Sequence, residues 1–395
     1  MIGISKLFCG TIEPSDPIRY GRKSGSLPSH LLQFSSDKKP VVVWNCTRRC
    51  NLKCRHCYSE SQNIAYDQEM STDEAITFID DLASYKIPVL LFSGGEPLVR
   101  PDLLELVSHA RNNGIRCVIS TNGTMINSDM AAKLGKAGLS YVGVSLDGLS
   151  VKHDNFRQVQ GAFDRAIRGI RYCREAGIKV GLRFTITKDN AGEIPGIFDL
   201  LEQENIPRIC FYHLVYTGRG SELKNSDLDH DSTRRLLDLI IDRTTDLHQR
   251  GHKVEVLTVD NHADGVYLYL RMKRENPGRA DSVMELLRMN GGNSTGIGIG
   301  CVSWDGTVHP DQFWRHHSLG NVREKPFSSI WSDEKNPLLV SLRNRKILLK
   351  GRCGRCAWKE ICNGNFRARA ESVYGDMWQE DPACYLTEDE ISNAI

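Results

Sequence analysis

The sequence predicts an α/β protein built on a parallel sheet, followed by a smaller metal-binding region. Between residues 40 and 249, six short β-branched segments alternate with amphipathic helical segments, which is the pattern of βα units in series. Seven cysteines fall into two groups, one near residue 50 and one beyond residue 350. Asp305-Gly306, between two apolar segments, predicts a β-hairpin at the start of the second region.

The βα units begin directly after Pro40. We predict strands at residues 41–44, 89–92, 116–121, 141–145, 179–187 and 208–213, and helices at 72–85, 102–112, 128–137, 162–176, 194–202 and 232–249. Such a series forms a parallel sheet, either barrel-like or doubly wound. In both arrangements, functional residues lie on loops at the carboxyl ends of the strands.

The other segments are predicted to surround this core of residues 39–215. Residues 1–38, rich in Pro, Ser and charge, are expected to form an arm with little regular structure. Residues 216–295 are predicted to be a helical connection, and residues 296–395 an appended metal-stabilised domain.

Composition and charge exclude several classes of protein. The 395 residues are 40% hydrophobic and 25% charged, as in an ordinary globular protein. A net charge of +2 gives no electrostatic basis for binding nucleic acid or an anionic membrane. We find no membrane span and no secretion signal. Clustered cysteines without such a signal favour metal binding over disulfides, so we expect a reducing cytoplasm.

Three cysteines, Cys50, Cys54 and Cys57, lie close together just after the first predicted strand. Thiolates are soft ligands that suit iron–sulfur clusters, zinc or Cu(I). Three ligands leave a fourth coordination position open, whereas a structural zinc site prefers four closed ligands. The group therefore favours a reactive cluster, with a partial zinc site or buried structural thiols as the alternatives.

Polar residues follow the next three predicted strands. Ser93-Gly94-Gly95-Glu96-Pro97 offers glycines that let a ligand approach the backbone and a carboxylate that can accept from an ammonium group. Asn122, Ser145 and Asp147 offer short polar side chains suited to ribose hydroxyls or a carboxylate. Each alone is compatible with a turn or a helix cap. Their recurrence at consecutive strand ends predicts a ligand site.

Together these motifs resemble those of the radical S-adenosylmethionine (radical SAM) enzymes. The resemblance rests on CxxxCxxC after strand one, Gly-Gly-Glu-Pro after strand two and Val-Ser-Leu-Asp-Gly after strand four, and covers residues 40–215. It implies a partial (β/α)6 barrel with a [4Fe-4S] cluster on the three cysteines, whose open iron binds S-adenosylmethionine. One-electron reduction would then release a 5′-deoxyadenosyl radical. The implied S-adenosylmethionine ligands are Gly94, Gly95 and Glu96 at the ammonium, Asn122, Ser145 and Asp147 near the ribose or carboxylate, and Arg157 as a candidate carboxylate partner.

The second cysteine group consists of Cys353, Cys356, Cys362 and Cys384. Four thiols close either a structural zinc site or a [4Fe-4S] cluster, and spacing does not separate the two. The pattern is similar to the SPASM extension of radical SAM enzymes, which implies an auxiliary [4Fe-4S] cluster and two clusters in all. Val308-His309-Pro310-Asp311 stands where many such domains carry a cysteine. We therefore expect no second auxiliary cluster. Cys301 is a lone candidate ligand, and we predict that it is a free thiol.

Segments outside these motifs, such as Asp260-Asn261-His262-Ala263-Asp264-Gly265 and Asn290-Gly291-Gly292-Asn293, are similar to those of radical SAM enzymes of siroheme-dependent haem synthesis. This resemblance implies removal of two acetate side chains from 12,18-didecarboxysirohaem to give Fe-coproporphyrin III, with a ferredoxin or flavodoxin as electron donor. The sister branch of haem d1 synthesis, which removes propionates, is the first alternative. A peptide maturase is a second, although such enzymes often carry a leader-binding domain that exceeds the predicted arm. A non-catalytic metal-binding protein is a third, but it would not explain the polar strand ends.

A tetrapyrrole with several carboxylates needs cationic partners in a roomy, mostly apolar cavity. The candidates in segments expected near the barrel mouth are Arg183, His213, Arg219, His262, His309, Arg315, His316 and His317. A histidine could instead ligate the substrate iron. Each of these residues is also compatible with an ordinary surface or core position.

Overall fold

A single sheet runs through the computed structural model, which describes residues 1–20 and 39–392. Its strands are β1 (Ile2–Gly3), β2 (Val41–Thr47), β3 (Val89–Gly94), β4 (Arg116–Thr121), β5 (Tyr141–Ser145), β6 (Val180–Thr185), β7 (Arg208–Tyr212), β8 (Glu255–Val259), β9 (Ile299–Val302), β10 (Thr307–His309) and β11 (Gly320–Asn321). Their spatial order is β1-β8-β7-β6-β5-β4-β3-β2-β9-β10-β11. Neighbouring strands from β2 to β8 are parallel, and β9 also pairs in parallel with β2. The predicted parallel α/β sheet is confirmed.

Helices connect most of these strands and pack against one another in sequence order. They are α1 (Asp16–Tyr20), α2 (Thr72–Ser84), α3 (Leu103–Asn112), α4 (Ser128–Ala137), α5 (Ser150–Arg157), α6 (Ala162–Glu175), α7 (Ile194–Gln203), α8 (His230–Gln249), α9 (Ala263–Glu275), α10 (Ala280–Asn290), α11 (Phe327–Trp331), α12 (Pro337–Arg343), α13 (Gly351–Arg355), α14 (Lys359–Cys362), α15 (Arg367–Tyr374) and α16 (Glu388–Ser392). Their ends follow local capping chemistry. Ser71 and Glu74 form a capping box at the start of α2, and Gly138, at φ +85°, ends α4.

Alternate residues of each inner strand face opposite sides of the sheet, as the period of a strand requires. On β2, Val42 and Trp44 pack in the main hydrophobic core, where the Trp44 ring lies 5.5 Å from that of Phe78 on α2. Val43 and, on β3, Leu91 face the other side and line a cavity. The helices therefore cover one face of the sheet, and the other face is available for a site.

The predicted helical connection of residues 216–295 is wrong in one respect, because it contains the parallel strand β8. All five residues of β8 are buried, and they pair with β7 from Arg208↔Glu255 to Tyr212↔Val259. The strand is short and begins with a charged residue, so its sequence lacks a clear strand signal. Helices α9 and α10 contain the two helical segments seen in the sequence.

The expectation of an irregular arm is wrong for residues 1–20. Strand β1 pairs antiparallel with β8, a π-helical turn spans Ser5–Cys9, and α1 follows. Arg19 of α1 lies in a buried ion-pair network, 2.6 Å from Glu13, 3.1 Å from Asp16 and 3.3 Å from Glu255 of β8. The rest of the predicted arm, residues 21–38, lies outside the described residues.

The carboxyl-terminal region begins with the predicted hairpin, which is confirmed. Strands β9 and β10 pair antiparallel, and Gly306 between them has φ +84°, which suits glycine. Because β9 also pairs with β2, this region shares the sheet of the barrel. Within the described residues, no helix combines the length and the apolarity needed to cross a membrane.

Candidate active site

The carboxyl ends of the parallel strands surround a cavity of about 140 Å³. Most of the residues singled out in the sequence as candidate ligands line it: Cys50, Cys54, Cys57, Gly94, Gly95, Asn122, Ser145 and Arg157. Glu96 and Asp147 do not line it, because they lie behind the cavity wall with their carboxylates bonded to neighbouring segments. The cysteine loop after β2 and the ends of β3, β4 and β5 thus converge on one place.

The first cysteine loop is fixed by its own backbone and by a distant segment. The Cys50 amide donates to the Gln62 carbonyl at 3.0 Å, and the Arg219 amide donates to the Cys57 carbonyl at 3.1 Å. Burial raises the pKa of both Cys50 and Cys54. Thiolates at these positions therefore depend on nearby positive charge, which a bound metal supplies.

Two glycines allow this loop to approach the sheet. A Cβ on Gly94 would collide with the Thr47 carbonyl oxygen, and one on Gly95 with the Arg49 carbonyl oxygen. The Gly95 amide donates to the Thr47 carbonyl at 2.8 Å, which holds β3 against the loop. Both glycines are therefore needed for close packing of the loop against the sheet, in addition to their predicted role in binding the ligand.

Glu96 connects two strand ends. Its carboxylate accepts from Thr121 Oγ1 at 2.6 Å and from the Asn122 amide at 2.8 Å, both at the end of β4. Burial raises the pKa of Glu96 even though these donors favour the ionised form. Asn122 in turn donates to Asn51 Oδ1 at 2.8 Å, so this chain of bonds links the Gly-Gly-Glu motif to the cysteine loop.

Asp147 and Arg157 form a buried pair beneath the cysteine loop. Asp147 Oδ1 accepts from the Thr185 amide at 2.8 Å, and its other oxygen contacts Arg157. Arg157 Nη1 also donates to Cys54 Sγ at 3.2 Å. Burial alone would raise the pKa of Asp147, but the Arg157 guanidinium lowers it below its usual value. Asp147 therefore fixes the Arg157 guanidinium next to the Cys54 sulfur, a candidate cluster ligand.

The second cysteine group is gathered by α13, α14 and the loop before α16. Burial raises the pKa of Cys384, and Cys353 and Cys362 raise it further. Cys356 Sγ accepts from the Trp358 amide at 3.4 Å. Four thiols supplied in this way can close either a zinc site or a [4Fe-4S] cluster.

Cys301 lies on β9, is buried, and accepts from Asn45 Nδ2 at 3.4 Å. Of the eight cationic candidates for substrate binding, only Arg183 and His213 line the cavity. The others are engaged elsewhere: Arg219 donates to the Cys54 carbonyl at 2.8 Å, His309 bonds to Ser303 at 2.9 Å, and His316 and His317 bond to Glu371 at 3.0 Å and 2.8 Å. Arg315 stacks on Trp304 and His262 contacts the terminal amine.

Several cavity residues were not identified from the sequence. They are His56, Tyr58, Tyr212, Asp260, Gln312 and Phe313, among others. Burial lowers the pKa of His56 to about 4, which keeps the imidazole neutral. His56 and Tyr58 flank Cys57, so their position in the motif could have indicated them. Asp260 follows β8, and the failure to recognise that strand concealed it.

Comparison with known proteins agrees with this geometry. A model of the radical SAM superfamily matches residues 44–201, and one of the SPASM iron–sulfur cluster-binding domain matches residues 298–357. The Fe-coproporphyrin III synthase of Methanosarcina barkeri is 64% identical over 394 residues, which cover 99% of each chain. The chain belongs to the radical SAM enzymes with a SPASM domain.

A further relative and a solved structure are also similar to this chain. The pre-heme d1 synthase of Dinoroseobacter shibae is 43% identical over 90% of this chain and 88% of its own. SuiB of Streptococcus suis, in a structure with S-adenosylmethionine, superposes with a TM-score of 0.69 at 20% identity, over 88% of this chain and 78% of that chain. The second likeness shows the shared fold. The predicted cofactors, S-adenosylmethionine and iron–sulfur clusters, are confirmed by the two family models.

Proposed function

We propose that this chain makes Fe-coproporphyrin III by removing the two acetate side chains of 12,18-didecarboxysirohaem. The observation that carries the proposal is the 64% identity to a Fe-coproporphyrin III synthase along nearly all of both chains. Cationic side chains line the cavity beside the first cysteine loop, which supports a substrate that carries carboxylates.

The residues around the cavity have distinct proposed tasks. Cys50, Cys54 and Cys57 would hold the first cluster, and the Gly94-Gly95 backbone with Asn122 and Ser145 would contact S-adenosylmethionine. When bound, these groups supply a 5′-deoxyadenosyl radical. Glu96 and Asp147 would act from behind the wall by holding the strand ends and Arg157 in place. Cys353, Cys356, Cys362 and Cys384 would hold the auxiliary cluster.

We further propose that the electrons come from a low-potential ferredoxin or flavodoxin in the cytoplasm. Seven cysteines in two groups, with no disulfide among the described cysteines, support a reducing compartment. The division into an amino-terminal segment, a barrel, a connection and a SPASM region remains part of this proposal, with the boundaries given above.

The alternative function is that of the pre-heme d1 synthase, a relative that is 43% identical over 90% of this chain. An enzyme of that kind would remove propionates instead of acetates from the same substrate. A peptide maturase is the more distant alternative.

The deciding experiment is anaerobic incubation of reconstituted protein with 12,18-didecarboxysirohaem, dithionite and S-adenosylmethionine, followed by mass spectrometry. We expect loss of two acetate side chains. Loss of propionates would instead support the second function, and an unchanged tetrapyrrole would contradict both. Cys54→Ala protein is the control, and it should produce no 5′-deoxyadenosine.

A further inference from the structure

The wall of the cavity opposite the motif residues consists of the ends of β6, β7 and β8. The candidate S-adenosylmethionine residues come from the ends of β2 to β5 and the loops that follow. The later strands contribute Arg183, Tyr212, His213 and Asp260 to the cavity. This second wall is therefore available to the other reactant.

Arg183 differs from the other cavity-lining arginine in its surroundings. Arg157 has Asp147 as a counter-ion, whereas no carboxylate oxygen among the described residues lies within 4.0 Å of an Arg183 nitrogen. Its guanidinium carbon lies 4.5 Å from the centre of the Tyr212 ring. Stacking on the face of the ring leaves the N–H groups at the guanidinium edge free for a planar anion. Burial of a cation without a counter-ion destabilises the folded protein. A carboxylate of a bound ligand would supply that counter-ion.

His213 provides a second positive group on the adjacent strand end. Its Nε2 lies 2.9 Å from Asp264 Oδ2, and the other oxygen of Asp264 accepts from Tyr385 at 2.7 Å. Burial alone would lower the pKa of His213, but Asp264 raises it above its usual value. Nδ1 has no hydrogen-bond partner among the described residues and is not buried. Asp264 and Tyr385 thus act as positioning residues for the His213 imidazole, which lines the cavity.

The two side chains come from neighbouring strand ends. Arg183 pairs with Cys210 in the sheet, and His213 lies three residues beyond Cys210, directly after β7 ends. Their Cα atoms are therefore offset by about 10 Å along the strand direction. A macrocycle that carries several carboxylates can present a different one to each of these two positions.

We propose that Arg183 and His213 form a two-point clamp for two different carboxylates of the tetrapyrrole. This inference rests on the proposed function and specifies how its substrate is held. It assigns the Nδ1 atom of His213, which has no hydrogen-bond partner among the described residues, to the second carboxylate.

The test is a Soret-band titration of cluster-loaded protein with Fe-coproporphyrin III under argon. Arg183→Gln and His213→Gln should each weaken binding about tenfold or more, and the double variant should multiply the two losses. The matched controls are Arg171→Gln and His109→Gln, which change exposed ion pairs. The controls should bind within about twofold of the unsubstituted protein.

The tetramethyl ester of Fe-coproporphyrin III separates a lost contact from general damage. The unsubstituted protein should bind the ester more weakly than the acid, and Arg183→Gln should bind the ester as well as the unsubstituted protein does. Equal binding of acid and ester by the unsubstituted protein would overturn the clamp even if a variant failed to fold. A His213→Gln complex with a shifted Soret band but normal affinity would overturn the role of His213. Failure of the unsubstituted protein to bind the tetrapyrrole would overturn the proposed function as well.

Discussion

Individual residues determine whether the cysteine loop can lie against the sheet. Gly94 and Gly95 stand where a single Cβ would collide with backbone that has no room to move. Glu96 and Asp147 also hold this region together, because their carboxylates accept hydrogen bonds from the amides of Asn122 and Thr185. A motif known for its ligand also has a structural task.

Gly95→Ala tests this packing task. The new methyl group would displace the Arg49 backbone and with it the loop of Cys50, so we expect loss of about half of the bound iron and of 5′-deoxyadenosine formation. Iron analysis after anaerobic reconstitution measures the effect. Gly192→Ala is the control, since its Cβ would meet open space. Full iron content in Gly95→Ala would contradict the prediction.

Asp260 offers a pH test of the second wall. Burial raises its pKa from 3.8 to about 6, although Arg369 and Arg183 oppose the shift. The folded state therefore binds the proton more tightly than the unfolded state, so stability falls as pH rises from about 4 to 6. Asp260→Asn removes the charge and tolerates φ +67°. We expect it to add on the order of 2–3 kcal/mol at pH 7.5 and less at pH 5. Thermal unfolding at both pH values measures this, and an equal gain at both would contradict it.

At the level of elements, the amino-terminal segment is part of the core structure. Strand β1 covers the edge of β8, and α1 contributes Arg19 to a buried network with three carboxylates. Paired buried charges contribute little net stability, but removal of one partner leaves the others uncompensated.

Arg19→Ala should therefore lower the free energy of unfolding by about 3–5 kcal/mol. Arg171→Ala, which breaks an exposed pair with Glu204, should cost less than about 1 kcal/mol. Denaturant unfolding of the two variants compares these costs. Equal midpoints would show that the amino-terminal network is dispensable.

The carboxyl-terminal cysteine group makes a separate prediction at the same scale. Cys353→Ala should remove about half of roughly eight bound irons while the first cluster persists. Cys301→Ala should keep the full amount, because Cys301 lies on β9 of the sheet and belongs to neither cysteine group. Iron and sulfide analysis distinguishes the outcomes, and full iron in Cys353→Ala would reject the ligand assignment.

For the whole molecule, sequence patterns predict the barrel well where strong turn residues bound each element. Strands β4 and β5 and helix α4 match their predicted limits to the residue. Strand β8 and helix α5 escaped prediction because the first is short with a buried charge and the second is polar. The pairing of Asp147 with Arg157, and of His213 with Asp264, depends on contacts between distant segments. The periodicity of hydrophobic residues along the sequence cannot predict contacts of this kind.

Expression of residues 1–295 alone tests whether the barrel strands fold without strands β9, β10 and β11. Without β9, strand β2 would present an open edge that invites association with other chains. We expect aggregation of this fragment, measured by its sedimentation after lysis. A monomeric fragment that binds four irons would show that the barrel is independent.

The pairing of β9 with β2 also has a consequence for biosynthesis. At the usual rate of about 5–20 residues per second, the ribosome reaches β9 roughly 10–50 s after β2 has been made. During that interval the loop with Cys50, Cys54 and Cys57 follows strand β2 while β9, which pairs with one edge of β2, has not yet been synthesised. We therefore expect cluster delivery to this loop to be a late event in maturation, after β9 has been made and has paired with β2.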